Sequence, residues 1–272
     1  MPTHPLSGRV ALVTGASAGI GHAVACELAT LGARVAINAR REERLVALAQ
    51  EITDRCAPVS GQAGKTGDGD RTLAVPGDAS DEGVIQRMLD EPEAAFGAPV
   101  DLVVVNAGRG LAGSVLSSDT EQWEEMVRIN LLGAARLIRA AGNRLAELQS
   151  KRAWPGHAAD IVVLGSTVGR HISPFSSMYG STKFAVGSLA EAARRELGPK
   201  GVRVTLIEPG IVQSEFQAVA GYDEKSFGAM MDKFAPLLSP GDVARTIGFI
   251  VRQPAGVHLC DAVIRPTRQD YP

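Results

Sequence analysis

The segment Arg9-Val-Ala-Leu-Val-Thr14 is a short apolar, β-branched run, and Gly15-Ala-Ser-Ala-Gly19-Ile-Gly21 follows it at once. Val24, Leu28 and Leu31 then recur at helical spacing until Gly32. A buried strand, a glycine-rich turn and a helix in immediate succession leave few folds open. The glycines permit a tight turn and a close approach of backbone to a ligand, and the helix N-terminus offers unbonded N–H groups to an anion such as a pyrophosphate. The spacing is G-x-x-x-G-x-G, and a purely structural turn is the competing reading.

The rest of the chain keeps the same rhythm. Strands are expected near 9–14, 34–38, 72–76, 100–105, 160–165, 202–207 and 260–264, and helices near 19–31, 41–54, 81–90, 120–149, 177–197 and 240–252. Continuous apolar runs such as Val100–Val105 and Ile161–Leu164 point to strands covered on both faces. The fold expected is therefore α/β, a single-domain Rossmann-type doubly wound parallel sheet of about seven strands, with ligands at the C-terminal strand ends. Hydrophobic residues are 45% of the 272, ample for the core of one such domain. Within it, residues 8–209 read as the dinucleotide-binding core, 210–238 as a substrate lid and 240–272 as a closing helix and strand. Two polar stretches, Ser60–Asp70 and Gln149–His157, read as surface loops. Gly64-Lys-Thr66 lacks both the first glycine and the preceding strand of a phosphate loop.

Several classes are disfavoured. A net charge of −2 gives no basis for a nucleic-acid or anionic-membrane partner. No apolar stretch is long enough to span a membrane, and Met1-Pro-Thr-His-Pro-Leu6 lacks the marks of a secretory signal. Cys26, Cys56 and Cys260 are odd in number and widely spaced, as suits reduced thiols of a cytoplasmic protein. The five histidines show no ligand spacing, so no metal is expected.

Tyr179-Gly-Ser-Thr-Lys183 opens a long helical pattern and places a phenol and an ammonium one turn apart on one face. A free phenol, with a pKa near ~10, is a poor acid or base at neutral pH, and a nearby ammonium favours its ionised form. Alone, the pair is also what an ordinary helix with a half-buried ring would show. Tyr222 and Tyr271, the other two tyrosines, have no such partner.

Together these features resemble the short-chain dehydrogenase/reductase family from about Gly8 to Val212, and more loosely beyond. The marks are Thr14-Gly-Ala-Ser-Ala-Gly-Ile-Gly21, Asp78, Asn106-Ala-Gly108, Asn130, Ser166 thirteen positions before Tyr179, Tyr179-x-x-x-Lys183 and Pro209-Gly210. The tail Asp261–Gln269 resembles the branch with serine and 3-hydroxy acid dehydrogenases. The resemblance implies a nicotinamide-dependent oxidoreductase acting on an alcohol or carbonyl compound. Tyr179 would be the general acid/base, Lys183 would tune it and hold the nicotinamide ribose, Ser166 would bond the substrate oxygen, and Asn130 would hold a water for proton relay.

The same resemblance implies a coenzyme site. Gly15, Ser17, Ala18, Gly19, Ile20 and Gly21 would cradle the pyrophosphate, and Asp78 with Ala79 would contact the adenine. Asn106, Ala107 and Gly108 would flank the coenzyme, and Pro209, Gly210, Val212 and Ser214 would meet the nicotinamide amide. At the end of the second strand Ala39 stands where the family's NAD enzymes carry Asp, and Arg40 and Arg41 follow. A guanidinium pairs bidentately with phosphate, so NADP(H) is the expected coenzyme. Arg40 and Arg41 could otherwise open a helix as solvated partners of Glu42 and Glu43, and Asp78 could be a helix N-cap, for which Ser80 is the better candidate.

The lid is expected to be mobile, with Phe216, Phe227, Met230 and Phe234 facing the substrate; a helix packed on the core is the alternative. A small-molecule alcohol or carbonyl substrate is the main reading. A larger polyketide- or steroid-like ketone is second, and a catalytically silent NADP-sensing protein third. Leu131, Leu132, Leu137, Ile138, Phe184, Val186 and Leu189 exceed what one sheet face covers, which suggests a homotetramer or homodimer.

Overall fold

The computed structural model describes residues 4–56, 71–222 and 224–271. The loop expected at 60–70 lies outside them. Seven parallel strands form one sheet in the order β3-β2-β1-β4-β5-β6-β7. They are β1 (Val10–Thr14), β2 (Arg34–Asn38), β3 (Thr72–Ala74), β4 (Leu102–Val105), β5 (Ala159–Leu164), β6 (Val202–Pro209) and β7 (Asp261–Ile264). Every residue of β1, β4 and β5 is buried, which is why these strands read as unbroken apolar runs rather than alternating ones.

Helices cover both faces. α1 (Gly19–Thr30), α2 (Glu42–Cys56) and α9 (Pro240–Val251) enclose one core with Val24, Leu28, Leu48, Ile52 and Ile247. α3 (Glu82–Phe96), α5 (Ala134–Ser150) and α6 (Ser177–Leu197) enclose the other with Ile85, Met88, Leu137, Leu145 and Val186. The order reverses between β1 and β4, both of which end at the glycine-rich turn, and a doubly wound sheet opens its ligand crevice at such a switch point.

Some expectations change. α3 continues past 90 through Pro92 to Phe96 and ends on Gly97 in the left-handed region. Its N-cap is Asp81, whose carboxylate accepts from the Val84 amide at 2.9 Å; Ser80 is turned to Asp78 instead. The helix expected at 120–149 is broken into a 3₁₀ turn (Thr120–Gln122), α4 (Trp123–Val127), a wide π turn (Arg128–Gly133) and α5. Stretch 210–238 contains α7 (Phe216–Ala220) and α8 (Glu224–Phe234). Leu137, Ile138 and Val186 belong to the chain's own core, whereas Leu132 and Phe184 stay exposed.

The end of the sheet away from the crevice holds a buried charge cluster. Arg9 Nη1 donates to Asp160 at 2.7 Å and Arg9 Nε to Asp101 at 3.2 Å, while Arg203 Nε donates to the other Asp160 oxygen at 2.7 Å. Arg203 also donates to the carbonyls of Val251, Gln253 and Val257, locking the end of α9 to β6. The three cysteines are free. Among the described residues no helix is long and apolar enough to cross a membrane.

Candidate active site

One cavity of about 700 Å³ runs along the C-terminal strand ends. At one end is the β1–α1 turn. Gly15 and Gly19 have φ of +66° and +57°, which side chains other than glycine rarely adopt. A Cβ at Gly21 would stand 2.4 Å from the Gly15 carbonyl oxygen, so that glycine is required for α1 to close on the turn. Gly21 does not line the cavity, whereas Gly15, Ser17, Ala18, Gly19 and Ile20 do; its role is packing, not contact. Ala18 caps α1 without a side-chain hydrogen bond and no acid lies in the first turn, which leaves the leading N–H groups to an anion. Asn106 ties the turn to β4, its Nδ2 donating to the Thr14 carbonyl at 2.8 Å.

The end of β2 forms the next wall. Asn38 is buried and its Oδ1 has no partner, though its Nδ2 donates to the Val75 carbonyl. Ala39, Arg40, Arg41, Asp78 and Ala79 line the cavity here. Arg41 Nη2 donates to Ser17 Oγ at 2.9 Å, so it joins the glycine turn to β2. Arg41 also lies 3.7 Å from Glu215, which Arg44 grips at 3.0 Å, and Arg40 stands 3.9 Å from Glu125. The acidic partners of Arg40 and Arg41 thus come from distant segments rather than from Glu42 and Glu43. Partial burial works against the Asp78 carboxylate, but the Ser80 amide and hydroxyl and the Arg128 guanidinium outweigh it and hold its pKa low.

The other end is built from β5, α6 and β6. Ser166 follows β5, its Oγ accepts from the Val168 amide at 3.4 Å, and its side chain faces the Tyr179 hydroxyl closely enough to influence its ionisation. Tyr179 and Lys183 occupy the first turns of α6, and both are buried and line the cavity. Lys183 Nζ donates to the Leu164 carbonyl at 2.7 Å and sits 5.8 Å from the centre of the Tyr179 ring. The expectation that Lys183 lowers the phenol pKa fails in this arrangement. Burial, followed by the nearby Tyr222, pushes Tyr179 well above its ordinary value, and only the neighbouring Ser166 side chain acts the other way. Burial also brings Lys183 down to about 8. Pro209, Gly210, Val212 and Ser214 line the far side, with Ala107 and Gly108 opposite.

Asn130 does not line the cavity. Its Oδ1 accepts from the Arg109 amide at 2.8 Å, and its Nδ2 donates to the Arg109 carbonyl at 2.8 Å and to Thr182 Oγ1 at 3.1 Å. Both amide hydrogens are used, so a water held by this side chain would have to donate to the remaining lone pair of Oδ1. Thr182 in turn donates to the Tyr179 carbonyl at 2.7 Å, and Asn130 thereby braces the turn that presents the phenol.

Of the lid residues, Phe216, Phe227 and Met230 line the cavity, but Phe234 is buried at the foot of α8, away from it. The cavity also gathers Arg109, Phe175, Tyr222, Gln269 and Tyr271, none of which the sequence singled out as site residues. They come from four separate segments, and no local pattern links them. The histidine reading also needs correction: His22, Cys26 and Glu51 bring ligand atoms within 4.8 Å of one another. Helical spacing put His22 and Cys26 on one face of α1, and α2 supplies the carboxylate. None of the three lines the cavity.

Comparison with known proteins agrees with this architecture. Residues 9–225 match the family model for short chain dehydrogenases. The chain is 33% identical over 264 residues to sulfoacetaldehyde reductase 2 of Chromohalobacter salexigens, covering 96% of each protein. It is 30% identical to glycine betaine reductase of Emericella nidulans, matching over 98% of this chain but only 19% of that longer protein. Its fold superposes on the closed form of serine dehydrogenase complexed with NADP+ with a TM-score of 0.80, at 29% identity and 96% coverage of both chains. With the family model matched over most of its length and a relative 33% identical over nearly all of it, the chain belongs to the short chain dehydrogenase family.

Proposed function

We propose that the chain is an NADP(H)-dependent oxidoreductase that moves a hydride between the nicotinamide and an alcohol or carbonyl carbon. The observation that carries this is the gathering of Ser166, Tyr179 and Lys183 on the wall of the same cavity that holds the glycine turn. The residues fit a dinucleotide: an uncapped helix N-terminus for the pyrophosphate, the unpartnered Asn38 Oδ1 near the adenosine end, and two guanidiniums with no carboxylate at Ala39. Exposed Arg40 and Arg41 favour a ribose 2′-phosphate, to which charge-assisted bonds are strong.

When bound, the nicotinamide supplies or accepts the hydride. In reduction, Ser166 donates to the carbonyl oxygen, where negative charge builds, and Tyr179 transfers its proton to that oxygen. Carbon gains the hydride, oxygen the proton, and the alcohol leaves with oxidised coenzyme. The high pKa imposed by burial keeps Tyr179 protonated at neutral pH, the state a donor needs. The phenolate formed in the step then recovers a proton from solvent, and Lys183, anchored on the Leu164 carbonyl, would hold the nicotinamide ribose. Asn130 acts as a positioning residue through Thr182. Leu132 and Phe184 are the proposed seat of a symmetric oligomer contact.

The test is NADPH oxidation at 340 nm with a panel of ketones and aldehydes, repeated with Tyr179→Phe. Carbonyl-dependent turnover lost in the variant supports the reading; no turnover with either coenzyme overturns it.

A further inference from the structure

The wall around the reacting hydroxyl is aromatic. Phe216 lies beside Tyr179, ring centroids 5.5 Å apart and tilted by 57°. Tyr222 is close enough to Tyr179 to affect its ionisation and stacks on Phe227 at 4.5 Å. Two further apolar side chains of the cavity, Phe175 and Val219, are 68% and 65% exposed, so the mouth offers apolar surface that none of the described residues covers. Such surface favours an apolar ligand and gains little from a small polar one.

Charge shows the opposite pattern. Among the described residues, the cations lining the cavity are Arg40, Arg41, Arg109 and Lys183. Arg40 and Arg41 stand at the glycine-turn end. Lys183 is held on the Leu164 carbonyl. Arg109 is held by Glu125 at 2.5 Å and by Gln122, and its buried Nε has no partner. A carboxylate or sulfonate beside Tyr179 would therefore have to compete with Glu125 for Arg109. An anion moved out of water without a free cation is strongly disfavoured.

We infer that the substrate is an uncharged carbonyl compound, or the matching alcohol, whose aromatic or flat apolar group packs against Phe216 and the Tyr222–Phe227 stack, and that anionic carbonyls are rejected. This rests on the proposed oxidoreductase function. It sets the chain apart from a hydroxy-acid dehydrogenase despite the likeness of its tail.

The experiment compares kcat/KM for methyl benzoylformate, benzoylformate, methyl pyruvate and sulfoacetaldehyde with NADPH and with NADH. The first two share a skeleton and differ in charge; the first and third differ in the ring. Methyl benzoylformate is expected to lead benzoylformate and methyl pyruvate each by roughly ten-fold or more, a usual range for a well-fitted group. Equal or better turnover of benzoylformate or sulfoacetaldehyde overturns the charge argument. Phe216→Ala and Tyr222→Ala should each shrink the ratio of methyl benzoylformate to methyl pyruvate; an unchanged ratio in both overturns the aromatic assignment. No turnover of any of the four with either coenzyme would instead sink the proposed function.

Discussion

Lys183 lies one helical turn beyond Tyr179, yet its Nζ points to the Leu164 carbonyl at 2.7 Å and stands 5.8 Å from the tyrosine ring centre. The two groups are buried together, and burial acts on each in the direction of its neutral form. In the proposed mechanism the phenol holds its proton until a substrate oxygen takes it.

Burial of Lys183 has a consequence for stability. Its pKa falls to about 8 in the folded chain, against ~10.4 for a free lysine. Between these values the unfolded chain binds a proton that the folded chain does not, so stability rises with pH across that window. The penalty is full below about pH 8 and is on the order of 3 kcal/mol. Lys183→Met removes it. The variant's urea midpoint relative to wild type should therefore be more favourable at pH 7 than at pH 9.5. Parallel pH dependence of the two proteins would contradict this.

The coenzyme end has its own test. Arg41→Ala should weaken NADPH by roughly ten-fold or more and leave NADH nearly unchanged, as expected for one lost charge-assisted bond. Ala39→Asp with Arg40→Leu should turn the preference towards NADH. Glu215→Gln should tighten NADPH, because Glu215 competes for Arg41. Fluorescence titration checks all three, and a wild type that prefers NADH at equal concentration would show the β2 reading to be wrong.

Asp160 is 2% exposed and carries Arg9 and Arg203. Asp160→Ala leaves two buried guanidiniums short of a partner and should cost about 3–5 kcal/mol, the usual range for breaking a buried pair. Denaturant unfolding measures it. A loss under about 1 kcal/mol would mean that water reaches the cluster.

In solution the chain should be larger than its 28.5 kDa monomer. Leu132→Glu with Phe184→Glu should lower the mass found by light scattering without unfolding the chain, since both side chains are exposed in the monomer. A wild-type monomer at micromolar concentration would rule the contact out.

How legible each feature was in the sequence follows from how local its cause is. The strands were readable because Val10–Thr14 and Ala159–Leu164 are buried on both faces and so are apolar apart from Thr14 and Asp160. Ser166, Tyr179 and the glycine turn were readable because each sits at an element's end, where a short motif is sufficient. The π turn at Arg128–Gly133 was not, because widening a helix by one residue hardly changes its pattern of side chains. The inward turn of Asn130 depends on Thr182, fifty-two positions away, and so could not be read locally. Tyr222, Gln269 and Tyr271 reach the cavity only through tertiary packing. Asp160 sat at the head of an apolar run, but its two arginine partners lie on β6 and just before β1.

The most direct measurement of the central claim is the single-turnover rate of Tyr179→Phe with saturating NADPH and a carbonyl that the wild type reduces. The ring and its packing on Phe216 remain, and only the proton donor is lost. The rate is expected to fall by ~10²–10⁴-fold, with NADPH affinity kept within a few-fold. A variant that keeps more than about a tenth of the wild-type rate would contradict the assignment of Tyr179 as the acid, since a lost general acid typically costs at least ~10²-fold.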